Sequence, residues 1–475
     1  MKQAQYTLIL SDIHLADEEP PSPRSPLWKK FKSREYYIDG AFKKVLDSME
    51  AQAKGPIELI LNGDIFDFDS VMSLPDEPIF HISWLERRRG LNPEEPKSRF
   101  KIETILQAHH LWADALYSFM SRGNSVVFII GNHDIELHWP QVQEAILGRI
   151  ASTPEERARV SFVEWFYISN GDTLVEHGNQ YDPYSLCMNP INPLIRKHQK
   201  LFLRIPFGNL AGKYLVNGMG LMNPHSEASY IKANFGEYMT FFFSYVLRIQ
   251  PFIFWTWLWG SFVTLWVTVT EGIHPAQKDP LAIVDRIEEI ATKANATPRT
   301  VLALRELHAH PACYNPFELL RELWLDRAIM LLLVFGTSFE VFLFFNLFTR
   351  TSIKMLAIPL VILFPAFAFY ARSIRSGVQK SQEVAFNQMP VAAKIAGVKR
   401  VIHGHTHIAK HCIYSGIEHL NTGTWSPAFL DIECTKPYGK KCYAWIHPKE
   451  NGESRVSELF EWSEKGSNQI DLTEP

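Results

Sequence analysis

Cysteine is scarce in this chain: Cys187, Cys313, Cys412, Cys434 and Cys442 are the only five among 475 residues, an odd number with no CxxC pair. Neither a disulfide framework nor a thiolate zinc site is expected, and a reducing compartment fits. An excess of one charge sign is missing too, since 48 Lys and Arg face 51 Asp and Glu for a net charge of −3. That balance supplies no global basic field and argues against a protein that holds nucleic acid mainly by neutralising phosphates. Internal repeats and long low-complexity tracts are absent, which with 46% hydrophobic residues excludes disorder and fibrous arrays and points to roughly two or three folded domains. The apolar stretch 6–10 is too short for a signal-peptide core and no small-residue cleavage site follows it, so the N-terminal part is expected in the cytosol.

What the chain has in surplus is aromatics, 32 Phe and 13 Trp, more than a soluble core of this size needs. Their distribution divides the sequence. Up to residue 182 the pattern is α/β: short β-branched runs at 7–10, 57–61, 126–130 and 173–175 each break into a polar or Gly-containing loop, with helical stretches at 41–53 and 101–120 between them. The same texture returns at 391–475, where strands at 400–402 and 417–420 precede polar loops. Residues 17–26 and 75–96 read as surface loops. One α/β domain, 1–182 plus 391–475, is therefore expected to be split by an insert at 183–390.

The insert holds most of the aromatics. Residues 249–270 carry no charge and include Trp255, Trp257, Trp259 and Trp266; residues 328–349 carry only Glu340; residues 355–371 carry none but contain Pro359 and Pro365. Candidate membrane segments are 251–270, 328–349 and 355–371, the third at the short limit for about 30 Å of hydrocarbon. If the two flanking halves form one domain, both lie on one side of the bilayer and the number of crossings is even. Arg350, Lys354, Arg372 and Arg375 favour crossing by the first two segments, with 271–327 as an external loop and a cytosolic return. The alternative pairs the second and third segments as a hairpin around 350–354, with the first lying flat. Either way the expected partner is a lipid bilayer, with a bacterial inner membrane and a cytoplasm-facing catalytic domain as the setting.

Five blocks at strand ends carry the chemistry: Asp12-Ile13-His14, Gly63-Asp64-Ile65-Phe66-Asp67, Gly131-Asn132-His133-Asp134, Glu176-His177-Gly178 and Gly404-His405-Thr406-His407. Residues i and i+2 of an extended segment point the same way, so Asp12 with His14, and His405 with His407, can face one centre or split between two. Mixed carboxylate, imidazole and amide donors suit two borderline divalent ions, Mn²⁺ foremost and Fe²⁺ or Zn²⁺ as alternatives. Asp64 has two oxygens and could bridge. Two such ions would clamp a phosphate and activate water for in-line displacement, which points to phosphoester or phosphoanhydride hydrolysis.

In order and composition the five blocks resemble those of the calcineurin-like metallophosphoesterases, over about 270 residues of the two α/β segments. The resemblance implies a four-layer αββα sandwich, here interrupted by an α-helical membrane insert. It further implies one metal on Asp12, His14, Asp64 and His407, a second on Asp64, Asn132, His177 and His405, His133 as catalytic acid or transition-state donor, and Asp67 orienting it. Asp134 suits either a supporting bond or a cap of a helix at 135–147, and Asn421 with Gly423 either the site or a plain turn. His403 faces away from the loop and is expected to pack; His109, His110, His308 and His310 read as surface.

The insert enters between His177 and Gly404, at the rim of the expected site, so a membrane-seated lid and an amphiphilic, phosphate-containing substrate are expected. The layout is similar to the bacterial UDP-2,3-diacylglucosamine pyrophosphohydrolases of lipid A synthesis, whose motif has Arg where this chain has His133. A protonating His suits a less acidic leaving group, so a phospholipid, lipid-linked phosphate or pyrophosphate is the expected substrate, with the lipid A reaction, or a soluble-substrate phosphodiesterase or nuclease of the same fold, as alternatives.

Overall fold

A computed structural model describes residues 4–19, 32–187, 193–197, 200–219, 251–273, 280–350, 352–373, 378–429, 437–438, 440–449 and 454–473, with the single positions 243 and 247. Cys434, Arg375, residues 20–26 of the proline-rich loop and residues 249–250 of the first apolar run lie outside them.

The described strands are β1 (Tyr6–Leu10), β2 (Ile57–Asn62), β3 (Ser125–Ile129), β4 (Val160–Val163), β5 (Phe166–Ser169), β6 (Thr173–Glu176), β7 (Leu194–Lys197), β8 (Lys200–Leu203), β9 (Arg400–His403), β10 (Lys410–Tyr414), β11 (Ile417–Asn421), β12 (Ala428–Phe429), β13 (Pro437–Tyr438), β14 (Cys442–Pro448), β15 (Arg455–Ser463) and β16 (Gly466–Ile470). Seven form one mixed sheet in the order β16-β15-β14-β1-β2-β3-β4, and five a second in the order β10-β11-β9-β6-β5. β1 through β4 are parallel, and β14 pairs antiparallel with β1 (Leu8 opposite Trp445), so the C-terminal strands complete the sheet that the N-terminal strands begin.

Alternation along the strands fixes which side faces what. Leu8, Leu10, Leu59, Leu61, Val126 and Phe128 pack under the helices Asp39–Gln52, Glu95–Ala108, His110–Ser121 and Pro140–Ile150, with Phe42, Ile105 and Trp112 in the same cluster. Ile9, Ile60, Val127 and Ile129 point the other way, onto Leu174, Val175, Val401 and Ile402 of the second sheet. Covered on both faces, β2 is buried at every position, including Glu58, which accepts from Tyr167 Oη and Ser169 Oγ, and Asn62, which donates to Glu176 O. Each such Leu or Ile contributes about 2 kcal/mol by leaving water.

The outer face of the second sheet is covered by residues of the interval 183–390. Ile287, Ile290, Val301, Leu304 and Met389 join its core, Ile168 N–H donates to Ala294 O (3.0 Å), and Ala309 and Ala312 N–H donate to Gln180 and Pro183 O (both 2.8 Å). Residues 271–327, expected as an external loop between two crossings, instead dock on the α/β domain over 286–323. The helix Ile253–Ile273 is likewise held on the domain side, against Phe207–Ala211 and 212–216. Leu325–Phe348 and Ala357–Ser373 pair as a hairpin closed at its base by Tyr370 Oη donating to Asp326 Oδ2 at 2.9 Å. Among the described residues three helices are long and apolar enough to cross a membrane, 253–270, 325–348 and 353–373. The contact between the second and third apolar helices is the one that the hairpin alternative expects.

Smaller expectations also shift. The helix expected at 101–120 is two helices meeting at His109, whose backbone leaves the helical region and whose Nδ1 lies 2.8 Å from buried Asp39, so this histidine is not on the surface. The helix expected from 135 starts at Pro140 after a 3-10 turn, Ile135–His138. Within 75–96, Ser83 and Glu86 form a capping box for a short helix, Trp84–Arg89.

Candidate metal centre

Parallel order places the carboxyl ends of β1, β2, β3, β6 and β9 along one rim, and the five blocks leave from those ends. Backbone bonds zip the loops together. Asp12 and His14 N–H donate to Gly63 and Asp64 O (3.1 and 2.9 Å), Asp67 N–H to Leu15 O (2.8 Å), Gly404 N–H to His177 O (2.9 Å), and His405 N–H to the Asp12 carboxylate (3.0 and 3.1 Å).

The loops are not simple extensions of their strands. Asp12, His14, Asp64, His405 and His407 all have φ between 52 and 63°, five of the nine non-glycine residues in the left-handed region among the described residues. That region costs about a kilocalorie or more per residue, and such strain gathers where side chains must be aimed. Asp12 and His14 thus converge through left-handed backbone at both positions, not through the extended alternation the sequence suggested. Glycine makes room beside them: a Cβ on Gly131 would stand 2.3 Å from Asp64 Oδ1, and one on Gly63, at φ +76°, 2.4 Å from the His177 ring.

The convergence yields three groups of possible metal ligands: Asp12, His14 and His407; Asp64, His177 and His405; and His14, Asp67 and His133. Nε2 of His407 lies 3.2 Å from Asp12 Oδ1 and 3.3 Å from His14 Nε2, and Nε2 of His177 lies 3.1 Å from Asp64 Oδ2. Nδ1 of His177 is 2.9 Å from Asn62 O, a bond that fixes the tautomer and turns the Nε2 lone pair toward Asp64. His405 Nε2 lies 3.2 Å from Asp182 Oδ2, which leaves Nδ1 as the nitrogen for an ion. Asn132 Oδ1 is buried without a hydrogen-bond partner. An orphaned amide oxygen beside carboxylates and imidazoles is a donor set that divalent cations satisfy.

Charge in the cluster follows from burial and proximity. Burial alone would raise Asp64, but the rings of His177, His133 and His14 hold its carboxyl well below the carboxylate range. Burial would lower His133, yet Asp64, Asp67 and Asp69 lift it to about 10, so the ring is a cation at neutral pH. His133 Nδ1 lies 3.3 Å from Asp67 Oδ1, and its backbone N–H donates to Asp64 Oδ1 at 2.8 Å. Asp67 is itself fixed by the N–H (3.1 Å) and hydroxyl of Ser70.

Asp134 caps no helix. Its carboxylate accepts from Gly131 N–H (2.6 Å) and Ile65 N–H (2.8 Å), bracing two ligand loops, and burial with Asp64 nearby raises it to about 7. Asn421 donates to Gly404 O (2.8 Å) and accepts from Gly423 N–H (2.9 Å), so it shapes the last loop without facing the donors. His403 packs between Glu176 (3.3 Å) and His419 (3.2 Å). His308 is half buried against Trp165, with ring centroids 5.2 Å apart, and is not a surface residue.

Three participants escaped the sequence reading. Asp182 supports His405; burial would raise it, and the bond to that ring holds it below its ordinary value. Asp69, two residues beyond Asp67, lies 3.9 Å from His133 Nδ1 and is raised to about 7 by burial and Glu136. Asn209, from the insert, accepts from Asn132 Nδ2 at 3.2 Å and donates to Asp69 Oδ2 at 2.8 Å. Position within a ligand loop could have flagged the first two, and nothing local marks the third.

Among known proteins, no curated relative matches the chain. Among solved structures, vacuolar protein sorting 29 of Cryptosporidium parvum is similar at 19% identity, over 18% of this chain and 40% of that one, with a TM-score of 0.14. The family model of calcineurin-like phosphoesterases matches residues 6–204. That matched stretch contains Asp12, His14, Asp64, Asp67, Asn132, His133 and His177, so four of the five blocks at the rim lie within the similarity to calcineurin-like phosphoesterases.

Proposed function

We propose that this protein is a membrane-associated, two-metal phosphohydrolase that cleaves a phosphoester or pyrophosphate bond of an amphiphilic, lipid-linked substrate. The observation that carries the reading is the pairing of two donor groups, Asp12/His14/His407 and Asp64/His177/His405, beside His133, whose Nδ1 lies 3.3 Å from Asp67 Oδ1. Asp12, His14, Asp64 and His407 would hold one ion, and Asp64, Asn132, His177 and His405 the other, Mn²⁺ foremost. When bound, two divalent ions neutralise phosphate charge and activate water. His133 would lie at the reacting phosphate and give its proton to the leaving oxygen as the bond to phosphorus breaks, with Asp67 keeping the ring oriented and charged. The three apolar helices, one of which packs on the segment that carries Asn209, support a lipid-linked substrate over a soluble one.

Hydrolysis of a chromogenic phosphodiester after chelation and Mn²⁺ replacement tests the reaction. Turnover should depend on added metal, vanish in Asp64→Ala, and fall about 10²–10⁴-fold in His133→Ala. Full turnover by Asp64→Ala, or turnover indifferent to metal, rejects it. Faster cleavage of a soluble headgroup phosphodiester than of the same headgroup on a lipid in vesicles would reject the lipid-linked substrate.

A further inference from the structure

The helix Ile253–Ile273 has two unlike faces. Gly260, Ser261, Val263 and Thr264 are buried: a Cβ on Gly260 would stand 2.7 Å from Tyr214 O, and Thr264 Oγ1 lies 3.5 Å from Leu210 O. Trp255, Trp259, Phe262 and Trp266 lie at successive spacings of four, three and four residues, one stripe along the helix, and are 63, 49, 54 and 62% exposed. A crossing helix would separate its ends by the bilayer thickness. This one is packed along its length on 207–216, and the chain beyond it returns to the second sheet at Ile287 and Ile290.

The hairpin differs. Leu332, Leu347, Phe348, Val361, Ile362 and Phe369 are each about 70% exposed or more, and its long helix has 24 residues, about 36 Å at the α-helical rise and enough for about 30 Å of hydrocarbon. Its base carries Trp324, Arg327 stacked 5.0 Å over the Trp324 ring, and the Tyr370–Asp326 bond, the amphipathic set found at membrane–water interfaces. Leu325 at that base shares a core cluster with Tyr184, Phe207 and Leu319, against which Trp257 and Leu258 also pack, so base and stripe helix are joined through one cluster.

We infer that the protein docks on a bilayer by two devices at one level: the hairpin 325–373 enters the hydrocarbon, and the helix Ile253–Ile273 lies flat at the interface on its Trp255/Trp259/Phe262/Trp266 stripe. Interfacial Trp and a cation-bearing hairpin base fit a surface of anionic phospholipids. The arrangement deepens the membrane association proposed above and does not depend on the hydrolytic reading. It sets the metal rim, linked through Asn132–Asn209 and Leu210–Thr264, about two helix spacings of roughly 10 Å from the headgroups, within reach of a phosphate that stays at the surface.

The test adds the full-length protein to preformed vesicles of phosphatidylcholine and phosphatidylglycerol. Subtracting the emission of a Trp255→Phe/Trp259→Phe/Trp266→Phe variant isolates the stripe. Its quenching should be strong with lipids brominated near the ester linkage and at least severalfold weaker with lipids brominated near the chain end. In parallel, cysteines introduced at exposed Leu302 and Glu155 are treated with an impermeant maleimide. Equal labelling at both is expected; protection of position 302 alone would restore the crossing topology. Equal quenching at both depths, or none, overturns the flat helix. Turnover of the soluble phosphodiester in detergent, measured on the same samples, reports separately on hydrolysis.

Discussion

Asn132 donates its side-chain amide to Oδ1 of Asn209 at 3.2 Å, so a residue of the insert sets which way a candidate metal ligand points. Asn209 is fixed in turn by Asp69, 2.8 Å from its Nδ2. With the amide nitrogens of Asn132 and Asn209 each donating along this series, the Asn132 oxygen is left for an ion. Removing such a supporting partner weakens metal binding about 10–100-fold in comparable centres. Asn209→Ala should therefore raise the Mn²⁺ concentration needed for half-maximal phosphodiester hydrolysis by about that factor, while its melting temperature stays near that of the wild type. An unchanged metal titration would reduce Asn209 to a packing role.

Gly131 approaches Asp64 as closely as a backbone can. A methyl group at 131 would lie 2.3 Å from Asp64 Oδ1 and 2.5 Å from its backbone N, so neither a rotamer change nor a small shift relieves it. Overpacking of this kind costs about 1–3 kcal/mol, and here the strain falls on the carboxylate expected to serve both ions. Gly131→Ala should bind metal poorly by calorimetry and lose most turnover, with a folded circular dichroism spectrum. Wild-type metal binding would show that Asp64 has more freedom than the packing allows.

Away from the centre, Glu86 gives a pH signature. It is buried and accepts from Lys97 Nζ (2.6 Å), Ser83 N–H (2.9 Å) and Asn92 N–H (3.0 Å); burial would raise it, but these donors lower it to about 2. A carboxyl whose folded value lies below its unfolded one near 4.5 stabilises the fold above that value, and the contribution is lost as pH falls toward 2. Glu86→Gln should be less stable than the wild type at pH 7 by about 3 kcal/mol. The gap in denaturant midpoint should narrow below about pH 4. A gap independent of pH would assign the loss to packing.

The contrast between these residues shows what was legible in the chain. Asp12, His14, Asp64, Asn132, His133, His177, His405 and His407 could be picked out because parallel strands end in loops and only a few side-chain types bind hard or borderline cations. The sheet that arranges them was half visible: β1, β2, β3, β6 and β9 read as apolar runs, whereas β14 to β16, with alternating polar residues, did not. Asn209 was hidden because its partners are 77 and 140 residues away and its neighbours are apolar. Trp255 to Trp266 read as part of a helix long and apolar enough for a membrane because an uncharged run gives length and composition, whereas the burial of Gly260 and Thr264 on one face is a tertiary fact.

That burial joins the helix Ile253–Ile273 to the segment behind the donor rim, and Gly260 is where the joint can be broken. A side chain there would press on Tyr214 O at 2.7 Å and Leu215 Cα at 3.0 Å, backbone atoms that cannot turn aside. Gly260→Leu must therefore push Ile253–Ile273 away from 212–216, the continuation of the segment that carries Asn209. The expected result is a severalfold loss of soluble-phosphodiester turnover and a Mn²⁺ titration displaced in the same direction as in Asn209→Ala. Because both changes act through one contact, the double variant should lose less than the product of the two single losses. Trp259→Ser, on the exposed face, should weaken vesicle binding and leave soluble turnover unchanged. Equal effects of Gly260→Leu and Trp259→Ser on soluble turnover would mean that the helix acts on the site by some route other than its packed face.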